Sequence, residues 1–431
     1  MMLRITVMVL SILMLLSCFA SCAQGNGDKT TDSGKKDESA ATAKLDSEYL
    51  VVRANSADEL TIQAAMLLRE LINEKASLSV SLKTDFLKKD EKAPEKEIIL
   101  GATNRETKFD RNTLDKDQYY VGLEGSKVII DAYDSLTLYF AVSNIVDKWL
   151  ELGEGEFTLD KNVVSSLGSN IDVDSRKLKI MSQNMRYTDD GNGNDIQDRA
   201  PRFKQLVEMY QPDIIGTQET TVKWNNYFRQ YYKDVYGMVG CSREGKNATT
   251  GEWGTILYRL DRFELLDSDD FWLTKTPKKV SRILGAKCNR ICTWALLKDK
   301  NTGETFVMAN THLDHSTDEI RIEQLGYLFN GLSELMEQYP IYITGDYNAS
   351  PTSNAYKTAI KTLLDSHVEA FENKSEISYT FDSYGKLNPG SRIDYCFYND
   401  RSVALWYKIL NEQFGGYVSD HYGIITEFVI K

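Results

Sequence analysis

The stretch Ile341-Tyr342-Ile343-Thr344-Gly345-Asp346-Tyr347-Asn348 decides how this 431-residue chain is read. Tyr339–Thr344 is an apolar, β-branched run of the kind that forms a buried strand. It stops abruptly at Gly345, and Asp346 and Asn348 follow. A polar side chain at a strand end stands at the rim of a sheet, on rigid backbone, where a site can be built. The same event recurs along the second half of the chain. Asn184 ends Ile180–Asn184, Glu219 ends Asp213–Glu219, and His312 ends Val307–His312. Asp394 lies inside Arg392-Ile393-Asp394-Tyr395, and Asp420-His421 opens the last apolar run. Each alone reads as a turn former or a surface residue. Their co-occurrence in a chain with four His in all carries the argument.

Working outward, strand-like runs at Leu178–Asn184, Ile214–Gln218, Gly254–Tyr258, Phe306–Asn310, Ile393–Tyr398 and Tyr422–Val429 alternate with helical segments such as Arg202–Tyr210 and Asp318–Gln338. Their irregular spacing argues against a repeat or a doubly wound parallel sheet. It predicts two sheets packed face to face with helices outside. Residues 45–168 read as a separate small α/β domain, with strands at Tyr49–Ala54, Glu97–Gly101, Tyr119–Leu123 and Lys127–Ala132. A capping box at Ser56-Ala57-Asp58-Glu59 predicts a helix whose apolar face is Leu60, Ala64, Leu67, Leu68 and Leu71. Leu136–Leu150 reads as a second helix, and no His falls in this domain. A polar hinge at 169–178 separates it from a second domain over 175–431.

The N-terminus addresses the compartment. Arg4 precedes an apolar run from Ile5 to Leu16, too short to span a bilayer but suited to a signal-peptide core. Cys18 and Cys22 each follow a lipobox-like sequence. Cys22 is the favoured lipidation site because a polar stretch follows it at once, although Cys18 has the better Leu three residues before it. Residues 1–22 are thus expected to be a lipoprotein signal peptide and 23–44 a flexible tether, giving an exported lipoprotein held at a membrane surface. An ordinary cleaved signal with incidental Cys is the alternative. The formal net charge is −12, yet residues 175–431 hold 31 Lys and Arg against 34 Asp and Glu. That half is near neutral, so acidity does not exclude a nucleic-acid partner there. Cys241, Cys288, Cys292 and Cys396 match no zinc spacing; Cys288 and Cys292 are open to a local disulfide or to free thiols.

The residue types at the strand ends are mutually consistent. Oxygen donors from Glu219, Asp346, Asp420, Asn184 and Asn348 suit Mg2+ or Mn2+, and two His supply proton transfer or charge stabilisation. The ordered set Gln183-Asn184, Gln218-Glu219, Thr311-His312-Leu313, Gly345–Asn348, Arg392–Tyr395 and Ser419-Asp420-His421 resembles the endonuclease/exonuclease/phosphatase superfamily over about residues 177–431. Gly251–Tyr258, Phe271-Trp272-Leu273, Arg290–Trp294 and Thr311–His315 resemble its secreted bacterial branch, with Tyr347 where the family usually has Phe. The resemblance implies an α/β (α+β) four-layer sandwich of two mainly antiparallel sheets flanked by helices. It implies Glu219 as principal metal ligand, helped by Asn184, with Asp420 beside the metal or paired with His312. It implies that Asp346 orients or deprotonates the attacking water and that Asn348 holds that water or the phosphate oxygens. His421 is implied to bind the phosphoryl oxygens, with Asp394 fixing its tautomer, and His312 to stabilise the transition state or protonate the leaving oxygen. Arg290 is expected as a phosphate clamp and Glu252 as a supporting carboxylate. Asp314 and His315 line the site or form a solvated turn. The N-terminal domain resembles the small α/β module that precedes catalytic domains of secreted bacterial glycosidases.

These readings predict a metal-dependent phosphoesterase acting on a small, sugar-linked or lipid-linked phosphate. A surface-anchored DNase or RNase is the rival, with Lys278, Lys279, Arg282, Lys287 and Arg290 as its local basic cluster. A carbohydrate-binding lipoprotein with an inactive catalytic domain is the second alternative. Trp253, Trp272 and Trp294 could wall a sugar or base, or pack inside. The oligomeric state is not legible.

Overall fold

The computed structural model describes residues 41–149, 156–159, 162–167 and 173–431, in two compact units, 1–174 and 175–431. The signal segment with Cys18 and Cys22 lies outside the described residues.

The first unit contains β1 (Ala41–Lys44), β2 (Leu50–Arg53), β3 (Ser81–Thr84), β4 (Glu97–Leu100), β5 (Gln118–Glu124), β6 (Lys127–Ala132), β7 (Glu156–Leu159) and β8 (Val163–Ser166), with helices α1 (Glu59–Lys75) and α2 (Ser135–Trp149). Six strands pair in the order β3-β2-β4-β6-β5-β8, and β1 pairs with β7. Two expectations are corrected. Residues 41–44 are not tether but strand, in antiparallel register with Glu156–Leu159. The first helix is capped by Asp58, whose side chain accepts from the Thr61 N–H, and not by Ser56. Both residues can cap, but an Asx N-cap binds the donor three residues on, which fits Asp58 and Thr61.

The second unit holds β9 (Lys177–Asn184), β10 (Ile214–Gln218), β11 (Tyr236–Val239), β12 (Ile256–Arg259), β13 (Phe263–Trp272), β14 (Ile291–Asp299), β15 (Thr305–His312), β16 (Ile341–Asp346), β17 (Leu364–Asp365), β18 (Glu372–Asn373), β19 (Asp394–Tyr398), β20 (Ser402–Leu410) and β21 (Gly423–Ile430). One sheet runs β11-β12-β10-β9-β21-β20-β18 and the other β13-β14-β15-β16-β19-β17. Most neighbours are antiparallel; β9–β10, β15–β16 and β18–β20 are parallel. Ile180, Ile214, Ile424 and Phe428 of the first sheet pack against Leu297, Phe306, Met308 and Tyr342 of the second in one buried cluster. Helices α3 (Ile196–Tyr210) and α4 (Val222–Tyr232) cover the first sheet's outer face through Phe203, Leu206, Trp224 and Phe228. Helix α5 (Asp318–Gln338) covers the second through Leu325, Leu328 and Leu332, and the short α6 (Asn354–Ala359) adds Ala355 and Tyr356. The result is the four-layer sandwich.

Helix α3 begins six residues before the predicted Arg202, passing through Pro201. Proline lacks an N–H and commonly marks a helix start, which hid the earlier turn. The sheets approach closely beneath the strand-end residues. A Cβ on Gly216 would stand 1.9 Å from Thr344 Oγ1 and 2.9 Å from Asn310 Oδ1, so only glycine fits there.

Candidate active site

Strand register places the side chains. His312 lies opposite Asp346 in the parallel β15–β16 pair, and Asp346 lies opposite Asp394 in the antiparallel β16–β19 pair. Three predicted residues therefore form one row across three neighbouring strands. In the facing sheet Asn184 lies opposite Gln218, and Glu219 follows directly. Asn184 joins the two sheets: its Nδ2 donates to Glu219 Oε1 at 3.2 Å and to Asp346 Oδ2 at 3.0 Å. Its Oδ1 accepts from the Arg186 N–H at 2.9 Å. The Tyr187 N–H donates to Glu219 Oε2 at 3.1 Å.

Arg186, Glu219 and Asn348 all have left-handed backbone, at φ 54°, 56° and 49°. Such non-glycine residues cost about 1–3 kcal/mol each and persist only where the surroundings hold them. The surroundings do. Buried Arg199 donates to the carbonyls of Met185, Arg186, Thr188 and Asn194, and Trp224 Nε1 donates to the Arg186 carbonyl.

The two site histidines differ in charge. His421 Nδ1 meets Asp394 Oδ2 at 2.9 Å. Burial works against its protonation, but the charges of Asp394, Asp346 and Asp420 outweigh that and raise its pKa to about 10. His312 lies beside Arg290 and Arg243; burial and then these cations hold its pKa well below the usual histidine value. It is therefore neutral, with Nε2 facing the Asn348 Nδ2 donor at 3.0 Å. The same Nδ2 donates to the Leu313 carbonyl.

The carboxylates are gathered tightly. Burial, then the charge of Asp394, lifts Asp346 to about 7, and burial also raises Glu252 and Asp420. Crowded buried carboxylates of this kind are what a cation relieves. Glu219, His312 and Asp346 offer ligand atoms within 4.8 Å of one another, as do Asp346, Asp394 and His421. The oxygen-rich set fits a hard divalent cation. Cys288, Asp314 and His315 also cluster, but both Asp314 oxygens already accept hydrogen bonds, from the Lys287 and Cys288 N–H groups and from Ser316.

Asp420 does not pair with His312. Its Oδ2 is 3.7 Å from Arg186 Nε and its Oδ1 accepts from Ser419 Oγ. His312 faces Asp346 at 3.5 Å and Glu252 at 4.0 Å instead. Glu252 is held by Arg243 at 2.7 Å. Arg290 is 4% exposed, its Nε has no hydrogen-bond partner among the described residues, and it lies 3.9 Å from Asp314. A buried guanidinium so loosely paired is suited to an anion. Asp314 is buried and braces the 287–288 backbone, so it is not part of a solvated turn; His315 is exposed, with its Nδ1 3.5 Å from Arg290 Nη2. Trp272 is buried and Trp294 packs against the α5 core, leaving Trp253, bridged to Thr220, beside the site. Cys241, Cys288, Cys292 and Cys396 are all free thiols.

Sequence reasoning missed Arg186, Arg243 and Asp190. Arg186 lies two residues after Asn184, a signal that could have found it. Arg243 sits in an irregular loop and is brought in only by tertiary structure.

The family model for the Endonuclease/Exonuclease/phosphatase family matches residues 181–421, more than half of the chain. Among curated relatives, nocturnin of Xenopus laevis is 24% identical over 294 residues, covering 59% of this chain and 72% of that protein. Human nocturnin is 25% identical over 269 residues, and the chain spans 58% of its length. Among solved structures, an endonuclease/exonuclease/phosphatase from Bacteroides vulgatus is 29% identical with TM-score 0.57, over 59% of this chain and 99% of that one. The Bacteroides thetaiotaomicron mannosyl-6-phosphatase Bt3783 is 28% identical with TM-score 0.56, over 59% of this chain and all of that one.

Proposed function

Because the chain belongs to the endonuclease/exonuclease/phosphatase family, whose members hydrolyse phosphoester bonds, we propose that it is a divalent-metal-dependent hydrolase of a small phosphate ester. The observation that carries this reading is the convergence of both sheets on Asp346, which Asn184 and His421 reach from the first sheet and His312 from the second.

Glu219, Asn184 and Asp420 are the residues we assign to holding Mg2+ or Mn2+; the second lone pair of Asn184 Oδ1 remains for this after the Arg186 contact. What the cation supplies when bound is positive charge on the phosphoryl oxygens. Asp346 Oδ2 takes the proton of the attacking water, a task suited to a carboxylate whose pKa stands at about 7. The His421 imidazolium, held by Asp394, donates from Nε2 to a phosphoryl oxygen as charge develops. Neutral His312, oriented by Asn348 and flanked by Glu252, stabilises the phosphoryl group on the Arg290 side. Arg290 clamps the phosphate. The same reading takes the protein as exported and anchored through Cys22.

Hydrolysis of bis(p-nitrophenyl) phosphate and p-nitrophenyl phosphate with Mg2+ or Mn2+ tests this, with His421→Ala as control. Turnover lost in the variant supports it; none above the variant overturns it.

A nuclease remains the second reading. Residues 273–290 contain six Lys and Arg and no acid, and they end at Arg290 within the site. Activity on RNA or DNA that falls steeply with salt would favour it.

A further inference from the structure

The flank of the site around Arg186 differs in charge from the flank around Arg290. On the Arg290 side, Arg243 and Arg290 bear on His312 and Glu252. On the other side the carboxylates of Asp190, Asp420 and Glu219 bear on Arg186, with buried Arg199 behind it. Asp190 engages the Arg186 charge directly, so this flank offers a second phosphate less than the loosely paired Arg290 does.

The arrangement at Arg186 is over-determined. Its Nε and Nη2 donate to the two oxygens of Asp190 at 3.0 and 3.1 Å. Asp190 also accepts from Thr188 Oγ1 and Tyr384 Oη, both at 2.8 Å, so its oxygens are taken. Arg186 Nη1 donates to no described residue, and the side chain is 31% exposed. The Arg186 guanidinium carbon lies over one face of the Tyr187 ring, 5.3 Å from its centroid, and Tyr187 is 44% exposed. Tyr384 keeps free lone pairs on its hydroxyl, since it is the donor to Asp190. Free N–H donors, a hydroxyl acceptor and an exposed aromatic ring suit stacking and hydrogen bonding to a neutral polyhydroxyl group.

We propose that Arg186, Tyr187 and Tyr384 form a subsite that reads the hydroxyls of a sugar or polyol on the phosphate ester, with Asp190 as the residue that positions Arg186. This rests on the phosphoesterase reading and names its substrate class. The phosphate lies toward Arg290 and His421, and the alcohol it leaves behind lies over Tyr187.

Phosphate release from glucose 6-phosphate and mannose 6-phosphate is compared with release from butyl phosphate, a primary alkyl ester without hydroxyls, and from 5′-AMP. The wild type is expected to favour one of the sugar phosphates over butyl phosphate by about tenfold or more in kcat/KM. Tyr187→Ala and Tyr384→Phe should lower kcat/KM for that sugar phosphate about tenfold, chiefly through KM, and for butyl phosphate by less than about threefold. Equal wild-type rates on sugar and butyl esters, equal losses in the variants, or preference for 5′-AMP would overturn the proposal. Should no ester be hydrolysed, the phosphoesterase reading fails by itself. Calorimetry with mannose 6-phosphate then decides the subsite: binding weakened in Tyr187→Ala supports it, and no binding overturns it.

Discussion

Asn348 donates its side-chain N–H to His312 Nε2 at 3.0 Å and so sets which nitrogen of that imidazole carries the proton. The Asn348 Oδ1/Nδ2 orientation is fixed independently, because Nδ2 also donates to the Leu313 carbonyl. The loop that delivers it is strained at φ 49° and is held by the Asn348 N–H to Asp346 Oδ1 bond at 2.8 Å.

Replacing that donor by an acceptor should therefore disable His312 without removing it. Asn348→Asp is expected to lower kcat by up to about 10⁴, the loss that a wrong-tautomer variant of a catalytic imidazole shows. Nitrogen NMR of His312 would show the wild-type ring unprotonated at Nε2 and the variant protonated there. An unchanged spectrum would remove the tautomer from the account.

His421 carries the opposite charge state, and its pH dependence follows. Its pKa of about 10 is raised, so activity that needs the imidazolium is present below that value and lost as pH rises through it. Asp394→Asn removes the largest source of that elevation, so the basic limb of the pH–rate profile should move to lower pH. A limb that stays in place would assign it to another group.

Asp314 braces the loop that brings Arg290 into the site. Its hydrogen bonds hold its pKa down at about 2 although burial alone would raise it. A depressed carboxyl pKa contributes stability above its unfolded value, and that contribution is lost as pH falls from about 4 toward 2. Asp314→Asn should cost about 1–3 kcal/mol at neutral pH, with the difference from wild type shrinking below about pH 4. Denaturant unfolding across pH checks it, and a pH-independent difference would contradict it.

Arg199 is fully buried, and four carbonyls of the 185–194 segment depend on it. Arg199→Met leaves those acceptors unpaired and should destabilise the protein by about 3 kcal/mol or more. Hydrogen exchange should rise first in residues 185–194. A rise confined to α3 would place its role in the helix.

Much of this site was legible because its residues end strands. A run such as Ile341–Asp346 announces both the strand and the change to polar side chains, and register does the rest. Helix α5 was legible to the residue because nothing within it breaks the 3.6-residue period. Helix α3 was not, because Pro201 masks its first turns. Arg243 and Asp190 were invisible because they sit in irregular loops and reach their partners, Glu252 and Tyr384, across 9 and 194 residues. The four thiols show the same limit: spacing left a disulfide open, and only the fold leaves Cys288 and Cys292 apart.

The central claim is that Glu219 and its neighbours hold a divalent cation on which phosphoester hydrolysis depends. Metal-free protein titrated with Mg2+, with p-nitrophenyl phosphate turnover and unfolding midpoint both followed, tests it in wild type and Glu219→Gln. The account predicts no turnover without metal, recovery on titration, and at least about tenfold more Mg2+ for half-activity in the variant, with little change in unfolding. Metal-independent turnover, or a variant that titrates like wild type, would contradict it.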